Sequence, residues 1–292
     1  MKGPSRRVAI ATAVGVVPRS DDDVELAGAL GVLGVRSSIV AWDDAATDWS
    51  AFSAVVIRTC WDYHLDPARF LEWVAMLERT GVRVWNDPAT IRWNHSKSYL
   101  GDLAAAGVTT VPTRWVPRGA AERLAEVLDA AGWDDVVVKP AVSASAYGTW
   151  RASRSGDDRE ADFRRLVDAG PVLVQPFMGA VQTGGEWSLC FIDGRYSHAV
   201  LKSPRAGDFR VQESWGGRSE RVDPPAGLIR EARAALAAAP AGTLYARVDG
   251  CVDAGRFHLM ELELIEPYLF LARAPGSAAL LASALVRRMG PA

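Results

Sequence analysis

From Phe257 to Ile265 the chain alternates residue by residue. Phe257, Leu259, Glu261, Glu263 and Ile265 fall on one side, and His258, Met260, Leu262 and Leu264 on the other. A period of two predicts a strand, with one apolar face and a second face carrying two carboxylates. Tyr245 to Val252 reads as a second strand, and Asp253-Ala254-Gly255 supplies the turn between them. With an odd number of residues in the loop, and Gly255 near its left-handed position, Asp249 falls opposite Glu261; an even loop puts it on the wrong face. Three carboxylates within about 4–6 Å repel by roughly 3–4 kcal/mol per pair at an effective dielectric near 20. A hairpin built that way calls for a cation or for raised pKa values. Hard oxygen donors in this number suit magnesium, particularly magnesium that carries nucleotide phosphates. A solvated acidic strand face is the plainer alternative for this stretch alone.

Elsewhere the pattern alternates between short apolar runs and amphipathic segments. Residues 8–13 read as a strand, 22–34 as a helix, 36–42 and 54–59 as strands, 67–81 as a helix stopped at Gly81, and 82–86 as a strand. This order predicts a small parallel α/β domain over residues 1–88. Asn86-Asp87-Pro88 turns into a helix expected to run to Gly107 and to carry Lys97. An edge-like segment (108–116), an alanine-rich helix (120–131) and the buried strand 136–140, which carries Lys139, follow. The small-residue loop Ser143 to Thr149 comes directly after, and small residues let backbone N–H groups approach a phosphate. A helix (160–169) leads to the strand 172–178, and residues 186–202 form a hairpin turned at Asp193-Gly194. Helices are expected at 226–239 and 277–289. Three modules result: 1–88, a central one over 89–180, and a C-terminal one over 181–292 that ends in the acidic hairpin.

Composition narrows the class. Of 292 residues, 49% are hydrophobic and 23% charged, which fits a globular enzyme with ample core. A net charge of −2 shows no nucleic-acid footprint. Cys60, Cys190 and Cys251 are odd in number and sit in apolar contexts, as reduced core thiols of a cytoplasmic protein do. Lys2, Arg6 and Arg7 ahead of the apolar run Val8 to Val17 imitate a short secretory signal, but the run reads better as a first buried strand. No stretch is long enough to cross a bilayer. A dinucleotide fingerprint is absent after the first strand. Ligands in open α/β sheets bind beyond the carboxyl ends of strands. Arg58, Asp62 and Tyr63 lie there, so Arg58 is a candidate clamp for a substrate carboxylate, with a local Arg58–Asp62 ion pair as the equal alternative.

In order, the chain carries Lys97, Val-Lys139-Pro with its loop, Gln175-Pro-Phe, Gly185-Glu186, Lys202, Arg210, Gly216-Gly217, Asp249, and Glu261-Leu-Glu263. This series resembles the ATP-grasp superfamily across residues 86–271, and the nearest branch is that of glutathione synthetase and the ribosomal-protein glutamate ligases. Within it, RTCWDY, GEWSLCF, DFRVQ and MELELIEP are similar to ring-closing ligases of antibiotic biosynthesis. The resemblance implies an α/β (α+β) ATP-grasp fold behind an N-terminal substrate-binding domain. It implies that Lys97 and Lys139 hold nucleotide phosphates under a lid at 143–149, with Ser143, Ser145, Tyr147 and Gly148 facing the nucleotide. Gln175, Pro176, Phe177 and Met178 become the hinge whose backbone reads adenine, with Glu186 beside it. Asp249, Glu261 and Glu263 become ligands for two magnesium ions, with manganese possible. Lys202 and Arg210 steady charge on the transferred phosphoryl group, and Glu266 joins Arg58, Asp62 and Tyr63 at the substrate.

The implied chemistry is ATP-dependent activation of a carboxylate as an acyl phosphate, then displacement of phosphate by an amine. The substrate is a small amino-acid derivative, joined to a partner or closed on itself. Positioning and charge neutralisation carry such a reaction. His64 is the single histidine near the expected substrate site; His95, His198 and His258 read as structural. Competing readings are a phosphotransferase using the same cleft and a non-catalytic nucleotide-binding protein. The partners expected are the small substrate alone, with neither nucleic acid nor membrane, and a homodimer possible.

Overall fold

The computed structural model describes residues 6–15, 20–156, 158–205, 208, 210–211 and 213–290. Val16 and Val17 of the first apolar run, and Phe209 and Gln212 of the DFRVQ stretch, lie outside the described residues. No helix among the described residues is long and apolar enough to cross a membrane.

Val8–Ala11 and Ala54–Ile57 are wholly buried, as strands covered on both faces must be. They lie in β1 (Arg7–Thr12) and, after β2 (Arg36–Ala41), in β3 (Ala54–Thr59); β4 (Arg83–Trp85) completes a parallel sheet ordered β2-β1-β3-β4. Helix α1 (Asp21–Val32) covers one face of this sheet and α2 (Pro67–Thr80) the other. Asp66 caps α2 through Arg69 N–H, Pro67 opens it and Gly81 closes it in a left-handed conformation, as its sequence predicts. Trp42 on Phe70 and Trp49 on Trp73 pack edge to face on that side, with Phe70 tilted against Trp73, which accounts for three of the tryptophans as core.

The helix expected from 88 to 107 is two: α3 (Pro88–Asn94) and α4 (Tyr99–Ala105). Lys97 sits in the break, because Ala141 O captures its N–H (2.7 Å) and Ser143 O accepts from its Nζ (2.7 Å). Strand β5 (Arg114–Val116) and helix α5 (Leu124–Ala131), which starts four residues later than expected, lead to β6 (Asp135–Pro140). Strand β7 (Trp150–Ser153), unforeseen in the sequence, helix α6 (Glu160–Ala169) and β8 (Val172–Pro176) finish an antiparallel sheet ordered β5-β8-β6-β7.

A short α7 (Ala180–Gly184) precedes the hairpin of β9 (Glu186–Ile192) and β10 (Arg195–Ser203). The edge strand β11 (Arg218–Arg221), α8 (Ala226–Ala237), β12 (Tyr245–Asp253), β13 (Arg256–Glu263) and α9 (Ser277–Met289) follow; the sheet order is β11-β10-β9-β12-β13. Cys190 and Ile192 of β9 share a core with β1, β3, α1 and α9, while Leu189 and Phe191 pack with α8. Alternation on one strand thus fuses the first and last modules through a common interior. The three cysteines are free and buried.

The acidic hairpin differs from its expected geometry. Its loop has two residues, Ala254 and Gly255, both at positive φ (46° and 78°), so it is even. Asp249 nevertheless pairs with Glu261, because the register slips by one between Asp249 and Gly250 and Met260 bulges out of β13. The bulge also moves the apolar face. Phe257 and Leu259 before it, and Leu262 and Leu264 after it, all enter one core, leaving Glu261 and Glu263 on the opposite side. Gly250 is required there: a Cβ would lie 2.4 Å from His258 O and 2.5 Å from the Phe257 ring.

Candidate active site

A cleft of about 340 Å³ opens where the central and C-terminal sheets meet the end of the parallel sheet. Its floor is the acidic hairpin. Lys97 Nζ lies 2.9 Å from Glu261 Oε1. Lys202 Nζ lies 2.5 Å from Glu186 Oε1 and 3.4 Å from Asp249 Oδ2. Arg247, on the same face of β12 as Asp249, binds it through Nε and Nη2 (2.9 and 2.8 Å) and also reaches Glu263. Ser188 Oγ donates to Asp249 at 2.7 Å.

These pairs set the protonation of the site. Burial works against ionisation of Asp249, but Arg247 and Lys202 outweigh it and hold its carboxyl at about 2. Glu263 is dominated by burial, with Arg247 opposing and Asp249 and Glu261 adding, and is pushed up to about 7. Burial is also the largest influence on Glu261, yet Lys97 and Lys139 bring it below its ordinary value. Lys202 is raised: burial disfavours its charge, but Asp249 and Glu186 overcome that. Lys139 stands apart. It lines the cleft, makes no ion pair among the described residues, and is lowered to about 8, chiefly by burial.

Most residues singled out in the sequence converge here: Ser143, Ser145, Gln175, Pro176, Phe177, Met178, Glu186, Arg210, Tyr63 and Glu266 line the cleft with the lysines and hairpin acids. Ser145 and Ala146 adopt left-handed backbone (φ 51° and 60°), so the loop turns tightly without extra glycines. Gln175 is buried with its amide on Thr113, and Phe177 N–H already donates to Asp135 O (2.9 Å), so neither group is turned to the cleft as a donor. Arg210 is clamped by Asp208 (2.8 and 3.1 Å) and stacks on Trp215. Tyr147 and Gly148 do not line the cleft; Tyr147 is mostly exposed and meets the His64 ring at a tilt, with ring centroids 4.9 Å apart.

Two expectations fail. Arg58 is fully buried and turned away from the cleft: its Nη2 donates to Pro267 O (2.7 Å) and pairs with Asp22 (3.3 Å), and its guanidinium lies over the Tyr245 ring. It neither offers a clamp for a substrate carboxylate nor pairs with Asp62. Asp62 instead accepts from Trp42 Nε1 (2.8 Å), outside the cleft. The strand end does carry these residues, but α1 and the 266–271 segment cover it. His95, read as structural, lines the cleft, as does Trp61, expected near it, and so do Arg247 and Tyr268, which the sequence did not single out. Arg247 had a signal, since it precedes Asp249 by two on one strand face.

The donors suit a hard divalent cation in chemistry but not as a finished cage. Among the described residues no group of three His, Cys, Asp or Glu side chains is gathered closely enough to hold a metal. The cations Lys97, Lys202 and Arg247 relieve the repulsion that the sequence seemed to leave to magnesium. Glu261 and Glu263 keep 32% and 22% of their side chains exposed and remain open to a ligand.

Two antiparallel α+β modules gripping a lysine-lined cleft behind a parallel α/β module define an ATP-grasp ligase. A family model described as "D-cycloserine synthetase DcsG, N-terminal domain" matches residues 8–86. The cycloserine biosynthesis protein DcsG of Streptomyces lavendulae is 32% identical over 300 residues, spanning 97% of this chain and 99% of the relative. The crystal structure of D-cycloserine synthetase DcsG superposes with a TM-score of 0.87 at 30% identity, covering 97% of this chain and 99% of the other. The ATP-grasp ligase PsnB, in complex with a precursor variant, Mg and ADP, shares the fold (TM-score 0.68, 17% identity, 98% and 99% coverage). The chain belongs to the DcsG family of ATP-grasp ligases. It is an ATP-dependent enzyme that forms carbon–nitrogen bonds on a small amino-acid-derived substrate, with magnesium as the metal typical of the family.

Proposed function

We propose that this ligase activates the carboxylate of an amino-acid derivative as an acyl phosphate and closes it on a nitrogen of the same molecule, as formation of a ring such as D-cycloserine demands. The observation that carries this reading is Lys139, the cleft lysine that makes no ion pair among the described residues, on a strand that ends in a tight small-residue loop. A cation left unpaired on a cleft wall is matched to an anion brought by the substrate, here the phosphates of ATP. Lys97 stands beside it and ties the loop carbonyl of Ser143 to Glu261, so loop, phosphates and hairpin are held in one register.

Lys202, fixed by Glu186 and Asp249, and Arg210, fixed by Asp208, steady the charge that builds on the transferred phosphoryl group. Asp249, Glu261 and Glu263 would hold the metal in this reading, as hard oxygen donors suited to a divalent cation. Magnesium, as two ions and with manganese as a substitute, would supply charge neutralisation between the β- and γ-phosphates. Residues 143–149 exclude water from the acyl phosphate, and the Tyr147–His64 contact joins that loop to the N-terminal module. The pKa of His64 is lowered, chiefly by burial. The module boundaries belong near residues 88 and 180, each between two sheets. The protein works in the cytoplasm, as a monomer or homodimer.

Glu261→Gln tests the assignment. It keeps the side-chain volume and should lower ATP turnover by about 100-fold or more, while circular dichroism and the melting temperature stay near wild type. Full turnover in that variant overturns the metal role, and ADP release without a ring or amide product points to phosphotransfer instead.

A further inference from the structure

Each hairpin acid in the cleft has an internal cation: Glu261 has Lys97, Glu263 has Arg247, and Asp249 has Arg247 and Lys202. Glu266 has none. It is 8% exposed, lines the same cleft, and forms no ion pair among the described residues. Its backbone is held from both sides. Trp61 Nε1 donates to Glu266 O (3.1 Å) and Arg58 to the neighbouring Pro267 O (2.7 Å). A buried carboxyl without a counter-ion favours its neutral form, and a ligand that brings positive charge favours the ionised form that binds it. The neighbouring walls are Trp61, Tyr63 and Tyr268, whose rings suit an organic cation.

We propose that Glu266 receives the ammonium group of the amino-acid substrate, with Trp61, Tyr63 and Tyr268 as its aromatic walls. This rests on the ligase reading and adds the residue that reads the substrate's ammonium group. Lys139 and Glu266 then divide the cleft into an anion end for the nucleotide and a cation end for the amino acid. Burial, reinforced by Glu263 and Glu261, pushes the Glu266 carboxyl well above its usual range, as expected of a group that lacks its partner.

Calorimetry on the full chain with saturating ADP and magnesium tests the subsite. The probes are D-serine, L-serine and D-cycloserine, set against their des-amino counterparts 3-hydroxypropanoate and isoxazolidin-3-one. At least one amino compound should bind about 10- to 100-fold tighter than its counterpart, and Glu266→Gln should erase that preference while ADP affinity stays unchanged. Equal binding of the paired probes to wild type overturns the subsite, and so does a preference that survives in Glu266→Gln. Binding of ADP with no amino compound bound also overturns it, while the nucleotide site stands. Loss of ADP binding in wild type brings down the ligase reading itself. Should Glu266→Gln fail to fold, wild-type discrimination between the paired probes decides the question alone.

Discussion

Side chains of the same type carry different work here according to what surrounds them. Lys97 and Lys202 are locked to carboxylates, whereas Lys139 is held near 8 by burial and makes no ion pair among the described residues. A lysine is cationic below its pKa, so the phosphate-binding form predominates at pH 7 and is lost as pH rises through about 8. The KM for ATP should therefore rise about tenfold between pH 7 and pH 9. Lys139→Arg, charged throughout that range, should flatten the profile. A flat wild-type profile would remove Lys139 from the phosphate site. All three lysines were legible in the sequence as cations, Lys139 and Lys202 at strand ends and Lys97 in an expected helix. That Lys139 alone of the three makes no ion pair among the described residues was not, because its neighbours come from other modules.

At the level of the element, the β12–β13 hairpin shows how one irregularity decides a site. Its turn chemistry and period of two were readable, and so was the pairing of Asp249 with Glu261. The route to that pairing was misread: an even turn and a bulge at Met260 replace an odd loop. A bulge is a tertiary accommodation, in which Phe257, Leu259, Leu262 and Leu264 all reach one core only if the strand slips. Gly250 permits the slip. Gly250→Ala should destabilise the fold by about 1–3 kcal/mol, because the added carbon meets backbone and a ring that cannot retreat freely. A denaturant midpoint unchanged from wild type would show that the hairpin can relax. The single helix expected around Lys97 failed for a similar reason: the hydrogen bonds at Ala141 and Ser143 that break it come from a segment over forty residues away.

Across the whole molecule, a shared core and a buried polar clamp tie the first module to the last. Asn86 binds Tyr245 O, Leu264 O and Leu244 N–H, while the Tyr245 hydroxyl reaches Ile57 O, Trp85 O and Ile265 O. Arg58 and Asp22 belong to this clamp. Removing one partner leaves the other charge buried and alone. Arg58→Ala should thus cost about 3–5 kcal/mol of stability, read from chemical unfolding, instead of raising the substrate KM selectively. A large KM effect at unchanged stability would restore Arg58 to the substrate site.

By itself the sequence determined the elements with strong local causes: the capped helix 67–80, the hairpin at Asp193-Gly194, the terminal helix and the order of lysines and acids along the chain. Those depend on propensity, turn chemistry and periodicity, which act over a few residues. Only the tertiary structure decided which charges neutralise one another, that Arg58 faces the interior, and that Glu266 is left over in the cleft. Ion pairing and burial are properties of space, and residues such as Asp22 and Leu271 are neighbours only once the chain has folded.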